Sequence, residues 1–291
     1  VEVGLVSPTA GELDRYTENH LGPMSELSQE KLQLTAKAYD DLLAPALFQE
    51  WANQMAELAG LEANDTVLDV ACGTGVLSIA AKRHAGSVTG LDLNPGMLVV
   101  ANEKAAGIEW RQGSAESLPF DDESFDVVMS QFGLMLFDSP EAAVGETWRV
   151  LRPGGRLFVA VFDSLDQHPA YALAADVYEQ VVGPDIGNAL RYPFSMGDVA
   201  ELNRLFQDAG ISAPVVTTHA SAAHFENARH MALSDVKGWF PFAGFHLDND
   251  TIDQVEKNLA KALDEYVLLN GEVKFDVSVH VVEATKPANT D

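Results

Sequence analysis

The chain has 291 residues, with 18 Lys and Arg against 44 Asp and Glu for a formal net charge of −26, and 47% of it is hydrophobic. That composition excludes a disordered chain, and a single cysteine excludes an intramolecular disulfide framework. So acidic a chain repels phosphate backbones, and Lys82–Arg83 and Arg149/Arg152/Arg156 are only modest basic groupings, so no nucleic-acid partner is expected. The excess acid reads as a solvated surface or, more specifically, as adaptation to high salt, where such surfaces are screened. No apolar stretch approaches the roughly 20 residues of a membrane span. Val1–Arg15 lacks a basic region followed by an apolar run, so no signal peptide is expected and the expected location is cytoplasmic.

In chain order, residues 1–30 are polar and without period, an N-terminal arm. From Leu32 to Leu61 the pattern is helical, with Leu43, Leu47, Trp51, Met55 and Leu58 three or four apart and Pro45 expected to break or restart the helix. Strand and helix then alternate: strand Thr66–Ala71, helix Val76–His84, strand Ser87–Leu93, helix Pro95–Ala106 with Asn94 as its cap, strand Ile108–Gln112. Strand Phe125–Ser130, helix Pro140–Leu151 and strand Arg156–Phe162 continue the series. This order predicts an α/β fold, a doubly wound, mostly parallel sheet with helices on both faces. After residue 162 the rhythm changes. Helical patterns at His168–Val182 and Met196–Ala209, a strand-like Pro214–Thr218 and an aromatic stretch at Trp239–Phe245 are grouped as a partly helical lid over 163–245. A helix at Thr251–Leu268 and a closing strand or hairpin at Glu272–Thr285 place 246–291 back with the core of 31–162.

The strongest chemical signal is Val67-Leu68-Asp69-Val70-Ala71-Cys72-Gly73-Thr74-Gly75, a strand running through a glycine turn into a helix. Gly73 and Gly75 allow close approach of a ligand, and the helix beyond offers free N–H groups. Asp92 ends the next strand 17 residues after Gly75, near the spacing at which a carboxylate grips a ribose diol. A dinucleotide site would carry a third glycine where Ser78 stands.

Together with Gly90-Leu91-Asp92-Leu93-Asn94-Pro95-Gly96-Met97-Leu98, Gly113-Ser114-Ala115-Glu116-Ser117-Leu118-Pro119-Phe120, Ser124-Phe125-Asp126-Val127-Val128 and Arg149-Val150-Leu151-Arg152-Pro153-Gly154-Gly155, this turn resembles the class I S-adenosylmethionine-dependent methyltransferases. Among them it is most similar to the branch with the ubiquinone/menaquinone C-methyltransferases and related small-molecule enzymes. The resemblance, strong over about residues 35–162, implies a Rossmann-like fold, S-adenosylmethionine as donor and S-adenosylhomocysteine as product. It implies that Asp69 orders the amino end of the donor, that Ala71, Gly73 and Gly75 pass beneath its methionine part, and that Asp92 holds the ribose, with Leu93 beside it. It places Met97 against the adenine, Ser114, Ala115 and Glu116 at the adenine edge, and Gln131 in the methyl-transfer region. Ala71 replaces a frequent glycine, and Ser114 stands where an aspartate is common, with Glu116 as a substitute.

No metal site is expected: His219, His224 and His230 are five and six residues apart and complete no ligand set. Cys72 reads as a small buried residue. The stretch Trp239–Phe245 with His246, and likewise Tyr39 and Tyr192-Pro193-Phe194, reads either as core or as walls of an acceptor site. Gln131, His246 and Tyr39 are the candidates for positioning the acceptor, with His246, His168 or Tyr39 available as a base. The expected function is methyl transfer to a small molecule on oxygen, nitrogen, sulfur or carbon. The alternatives are a cofactor-binding regulatory protein without catalysis, or an enzyme acting on RNA or protein. Oligomeric state is left open.

Overall fold

A computed structural model describes residues 28–288, so most of the expected N-terminal arm lies outside the described residues. The chain enters through α1 (Gln29–Ala38), continues without a break into a π-helical segment (Tyr39–Phe48), and ends this first arch with α2 (Gln49–Leu58). Pro45 was expected to interrupt the helix. It is instead carried inside the π segment, whose wider turn eases the clash of the proline ring with the preceding turn. The Ser28 side chain caps α1 by accepting from the Lys31 N–H at 3.4 Å.

The alternating section folds as β1 (Thr66–Val70), α3 (Val76–Lys82), β2 (Ser87–Asp92), α4 (Pro95–Lys104), β3 (Glu109–Gln112), β4 (Phe125–Gln131), α5 (Pro140–Val150) and β5 (Leu151–Phe162). Beyond it come α6 (Pro169–Val181), α7 (Pro184–Arg191), α8 (Val199–Asp208), β6 (Val215–Phe225), α9 (Ala228–Leu233) and a second π-helical segment (Ser234–Trp239). A 3-10 turn (Phe240–Ala243), α10 (Asn249–Ala262) and β7 (Val273–Thr285) complete the chain.

Seven strands form one sheet in the order β3-β2-β1-β4-β5-β7-β6. β1 to β5 pair in parallel, whereas β7 is antiparallel to both β5 and β6. The parallel strands are apolar on both faces because helices cover both; Val67, Leu68, Val127, Val128 and Leu157 are fully buried. Strand order reverses between β1 and β4, which opens a crevice at their carboxyl ends, where such sheets bind ligands.

The expected lid over 163–245 is therefore not continuous. β6 takes eleven of its residues into the sheet, where Val215 to Phe225 pair with Glu283 to Val273. What covers the crevice comes instead from three places: the first π segment, the α6–α7 layer and the second π segment. The five-residue run Pro214–Thr218 carries no information about a strand partner some 60 residues ahead, so the sequence gives no sign that this segment joins the sheet. Of the strand or hairpin expected at Glu272–Thr285, the chain forms one long strand, β7, joined to β6 through α9 and α10.

Candidate active site

The carboxyl end of β1 turns through Ala71 (φ 59°), Gly73 (φ 53°) and Gly75 (φ 83°), three left-handed residues that reverse the chain into α3. Glycine adopts this conformation freely; Ala71 adopts it at a cost of about 1–2 kcal/mol. The turn is held from the next strand. Asp92 accepts the Gly73 N–H through Oδ2 and the Asn94 N–H through Oδ1, both at 2.8 Å. Burial pushes its carboxyl up, and the backbone donors pull the other way.

Asp69, 1% exposed, accepts from Ser78 Oγ at 2.6 Å through Oδ2, while its Oδ1 is buried without a partner. Burial lifts this carboxyl to about 7. Ser78 thus does specific work at the position where a dinucleotide site carries glycine. Thr74 Oγ1 and Gln131 Oε1 are likewise buried without partners, and space above Gly73 is open on the side where a Cβ would stand. Several orphaned polar atoms around one glycine turn, beside a carboxylate at the end of β2, match a ligand carrying both a charged amino-acid end and a ribose. The residues present therefore fit S-adenosylmethionine.

Met97 is buried against Ala36 and Val100, with Tyr39 and Phe242 packed alongside, while Leu93 next to Asp92 is 52% exposed. α1 crosses the start of α4 so closely that a Cβ on Gly96 would lie 2.5 Å from the Leu32 carbonyl carbon. Ser114 and Glu116 do not present free groups. Ser114 Oγ donates to Glu116 Oε2, and Glu116 Oε1 accepts the Asp138 N–H at 3.1 Å. Glu116 thus ties the β3–β4 loop to the loop after β4. Ala115 beside it is buried.

Among the acceptor candidates, Gln131 ends β4 next to the cavity-lining Phe132: its Nε2 donates to the Phe48 carbonyl at 3.3 Å and joins β4 to the first π segment. Tyr39 is half-buried, stacked on Phe48 at 5.5 Å. Burial, reinforced by the carboxylates of Asp92, Asp40 and Asp69, pushes its phenol far above the ordinary range, so Tyr39 is a donor and not a base. His246 is exposed on the connection to α10 and is not among the residues that wall the cavity. His168 is buried with Nδ1 2.9 Å from the Ser164 carbonyl and Nε2 accepting the Ser278 N–H at 3.1 Å. With both nitrogens engaged and its pKa lowered by burial, it is a structural tie between α6 and β7. His219, His224 and His230 have separate partners in Thr217, Glu272 and the Leu42 carbonyl.

Next to Gln131 lies a small, half-open apolar pocket of about 50 Å3. Phe132 (φ 55°) stands in a strained, left-handed conformation immediately after β4, and its ring stacks flat on Phe162 at 4.0 Å. Phe48 lies against both, and Leu43, Leu47, Tyr171 and Phe194 extend the wall. Trp239 supplies the last aromatic surface and donates through Nε1 to the Ala189 carbonyl at 3.0 Å, which pins the second π segment to α7. Of the aromatic stretches singled out in the sequence, Trp239, Pro193 and Phe194 line the cavity, whereas Phe240 is fully buried core. Asp235, Tyr171 and Phe132 carried no sequence signal beyond their residue type, because each is brought in by packing between distant segments.

A family model described as a methyltransferase domain matches residues 68–159. The chain is 35% identical over 216 residues to a ubiquinone/menaquinone biosynthesis C-methyltransferase of Roseobacter denitrificans, covering 68% of this chain and 82% of that one. It is 31% identical over 227 residues to a demethylmenaquinone methyltransferase of Clavibacter sepedonicus, covering 72% and 89%. In fold it is similar to the YcgJ protein of Bacillus subtilis, with a TM-score of 0.55 at 20% identity, covering 82% of this chain and 98% of that one. The matched segment contains the turn, Asp92 and β4, the parts whose geometry fits the donor. The chain belongs to the class I S-adenosylmethionine-dependent methyltransferases, of the ubiquinone/menaquinone type, and is an enzyme that methylates a small molecule.

Proposed function

We propose that the acceptor is a planar, hydroxylated aromatic of the quinol class and that the methyl group goes to a ring carbon. The observation that carries this reading is the cavity beside Gln131, whose facing walls are the Phe132–Phe162 stack, Phe48 and Trp239. Flat aromatic walls favour an aromatic guest through offset and edge-on contacts. Two of the relatives named above are a ubiquinone/menaquinone biosynthesis C-methyltransferase and a demethylmenaquinone methyltransferase, which supports the same acceptor class.

The bound sulfonium supplies an already activated methyl group. The protein's task is then to hold the acceptor close and dry. Asp92 and Asp69 anchor the donor's two ends, and Gln131 bridges β4 to the π segment that roofs the junction between donor site and cavity. Phe132 and Phe162 exclude water from the acceptor's face. Among the described residues no helix is long and apolar enough to cross a membrane. We place the enzyme in the cytoplasm, a reading supported by its single cysteine.

The test is incubation with S-adenosylmethionine and, in parallel, a dithionite-reduced naphthoquinone, an aryl amine and an aryl thiol, with products read by mass spectrometry. Ring-methylated naphthoquinol is expected. Methylated amine or thiol without methylated naphthoquinol would overturn the reading.

A further inference from the structure

Asp235 lies in the second π segment, 2% exposed, and forms part of a cavity wall that is otherwise almost entirely apolar. Among the described residues it has no cationic partner, and the one hydrogen bond to its carboxylate comes from Tyr178 Oη to Oδ2 at 3.0 Å. Tyr178 is itself fully buried on α6. Two turns earlier on the same helix, Tyr171 also lines the cavity, and its buried hydroxyl has no partner. A carboxylate buried without a cation costs several kcal/mol, and a purely packing role would be met by an apolar residue. An unpaired acid and an unpaired hydroxyl sharing one aromatic-walled cavity are a pair of groups waiting for a polar ligand atom.

We propose that Asp235, oriented by Tyr178, binds the acceptor's hydroxyl and takes its proton, with Tyr171 as a second polar contact; this rests on the quinol reading above. The hydroxyl O–H bond breaks, its proton passes to the Asp235 carboxylate, and its electron pair feeds into the ring. The adjacent ring carbon forms its bond to the methyl carbon while the methyl–sulfur bond breaks, leaving its pair on sulfur. Loss of the ring proton at that carbon to water restores aromaticity and returns the electron pair to oxygen, and Asp235 hands its proton back to that oxygen before product leaves. Burial holds the Asp235 carboxyl at about 7, where it both accepts and releases a proton near neutral pH.

The titratable groups facing it are Tyr178 and Tyr171 of α6. Charges on the neighbouring elements are engaged elsewhere: Asp40 with Lys104, Asp41 with Lys37, Arg229 with Asp253 and Glu256, and His230 with the Leu42 carbonyl. Lys237 points into solvent on the same segment.

The test compares wild type with Asp235→Asn, which keeps the volume and an acceptor for Tyr178. With S-adenosylhomocysteine bound, titration calorimetry with 2-naphthol and 2-methoxynaphthalene should show at least a tenfold preference for the naphthol in wild type, lost in Asp235→Asn. Affinity for S-adenosylhomocysteine itself should not change. With reduced naphthoquinone as acceptor, kcat should fall about 100-fold and lose an acid limb near pH 7. An unchanged naphthol preference in Asp235→Asn would overturn the assignment. If that variant fails to fold, Tyr178→Phe carries the test: loss of its hydrogen bond should move the acid limb to higher pH, and an unmoved limb refutes the proposal. An Asp235-dependent naphthol preference with no methylated naphthoquinol would sink the quinol reading and leave the hydroxyl site standing.

Discussion

Gly75 and Gly90 sit on different elements, yet a Cβ on either would strike the same side chain. At Gly75 it would lie 2.5 Å from Trp110 Cη2, and at Gly90 2.5 Å from Trp110 Cζ3 and 3.0 Å from Cys72 Sγ. The indole of β3 thus buttresses the cofactor turn, and the two glycines are the space it occupies. Overpacking of this kind costs about 1–3 kcal/mol. Gly75 is also left-handed at φ 83°, which adds about 1–2 kcal/mol for alanine, whereas Gly90 lies outside that region. Gly90→Ala should therefore destabilise by about 1–3 kcal/mol and Gly75→Ala by about 2–5 kcal/mol. In a Trp110→Leu background the indole clash is relieved: Gly90→Ala should lose most of its cost and keep only that of the 3.0 Å approach to Cys72 Sγ, while Gly75→Ala keeps the conformational part, about 1–2 kcal/mol. Urea unfolding of the two double-mutant cycles, with slopes checked for constancy, measures both quantities. Equal costs for Gly90→Ala in the two backgrounds would refute the argument, because the Trp110 ring would then not be what the new methyl group meets.

Asp92→Ala removes the acceptor of the Gly73 and Asn94 N–H groups and, on the proposed assignment, of the ribose hydroxyls, so calorimetric affinity for S-adenosylhomocysteine should fall by about 1.5–3 kcal/mol, or about 10- to 150-fold; unchanged affinity would refute that assignment. Asp69 carries a folded-state value of about 7 against 3.8 for the free carboxyl, so the unliganded protein loses stability as pH rises between those values. Asp69→Asn should match wild type in thermal unfolding below pH 4 and exceed it above pH 7, by at most about 4 kcal/mol, while binding the donor more weakly. A variant less stable than wild type at pH 8 would contradict this sign. Arg149 donates to Glu146, Asp122 and the Leu118 and Phe120 carbonyls, closing the loop after β3. Arg149→Met should accelerate amide exchange in residues 116–123 without changing exchange in β1; uniform protection in that loop would show that the network does not hold it.

The donor half of the site was legible because it is built from consecutive residues. A strand, a left-handed glycine turn and a helix cap are local conformations, and Asp92 reports its role through a fixed distance along the chain. Even there, local chemistry left choices open that packing closed. Glu116 had the right type and place for the adenine edge but spends its carboxylate on Ser114 and Asp138, and Ser78 proved to be the donor that holds Asp69.

The acceptor half was not legible, for a physical reason that Asp235 illustrates. Its meaning depends on Tyr178, 57 residues earlier, on the apolar walls contributed by five other segments, and on exclusion of water, none of which leaves a periodic trace. His246, chemically the more attractive residue in the sequence, is exposed outside the cavity walls, because a turn after the aromatic run carries it away. β6 was read as part of a lid because strand identity at a sheet edge is decided by its partner, and β7 lies beyond two intervening helices. Sequence alone determined the fold class, the glycine turn and the carboxylate placed beside it at the end of β2, since these depend on backbone conformation and short spacing. Tertiary structure alone decided the shape of the acceptor cavity and the single acid buried in its wall, since desolvation is a property of what surrounds a residue and not of the residue itself.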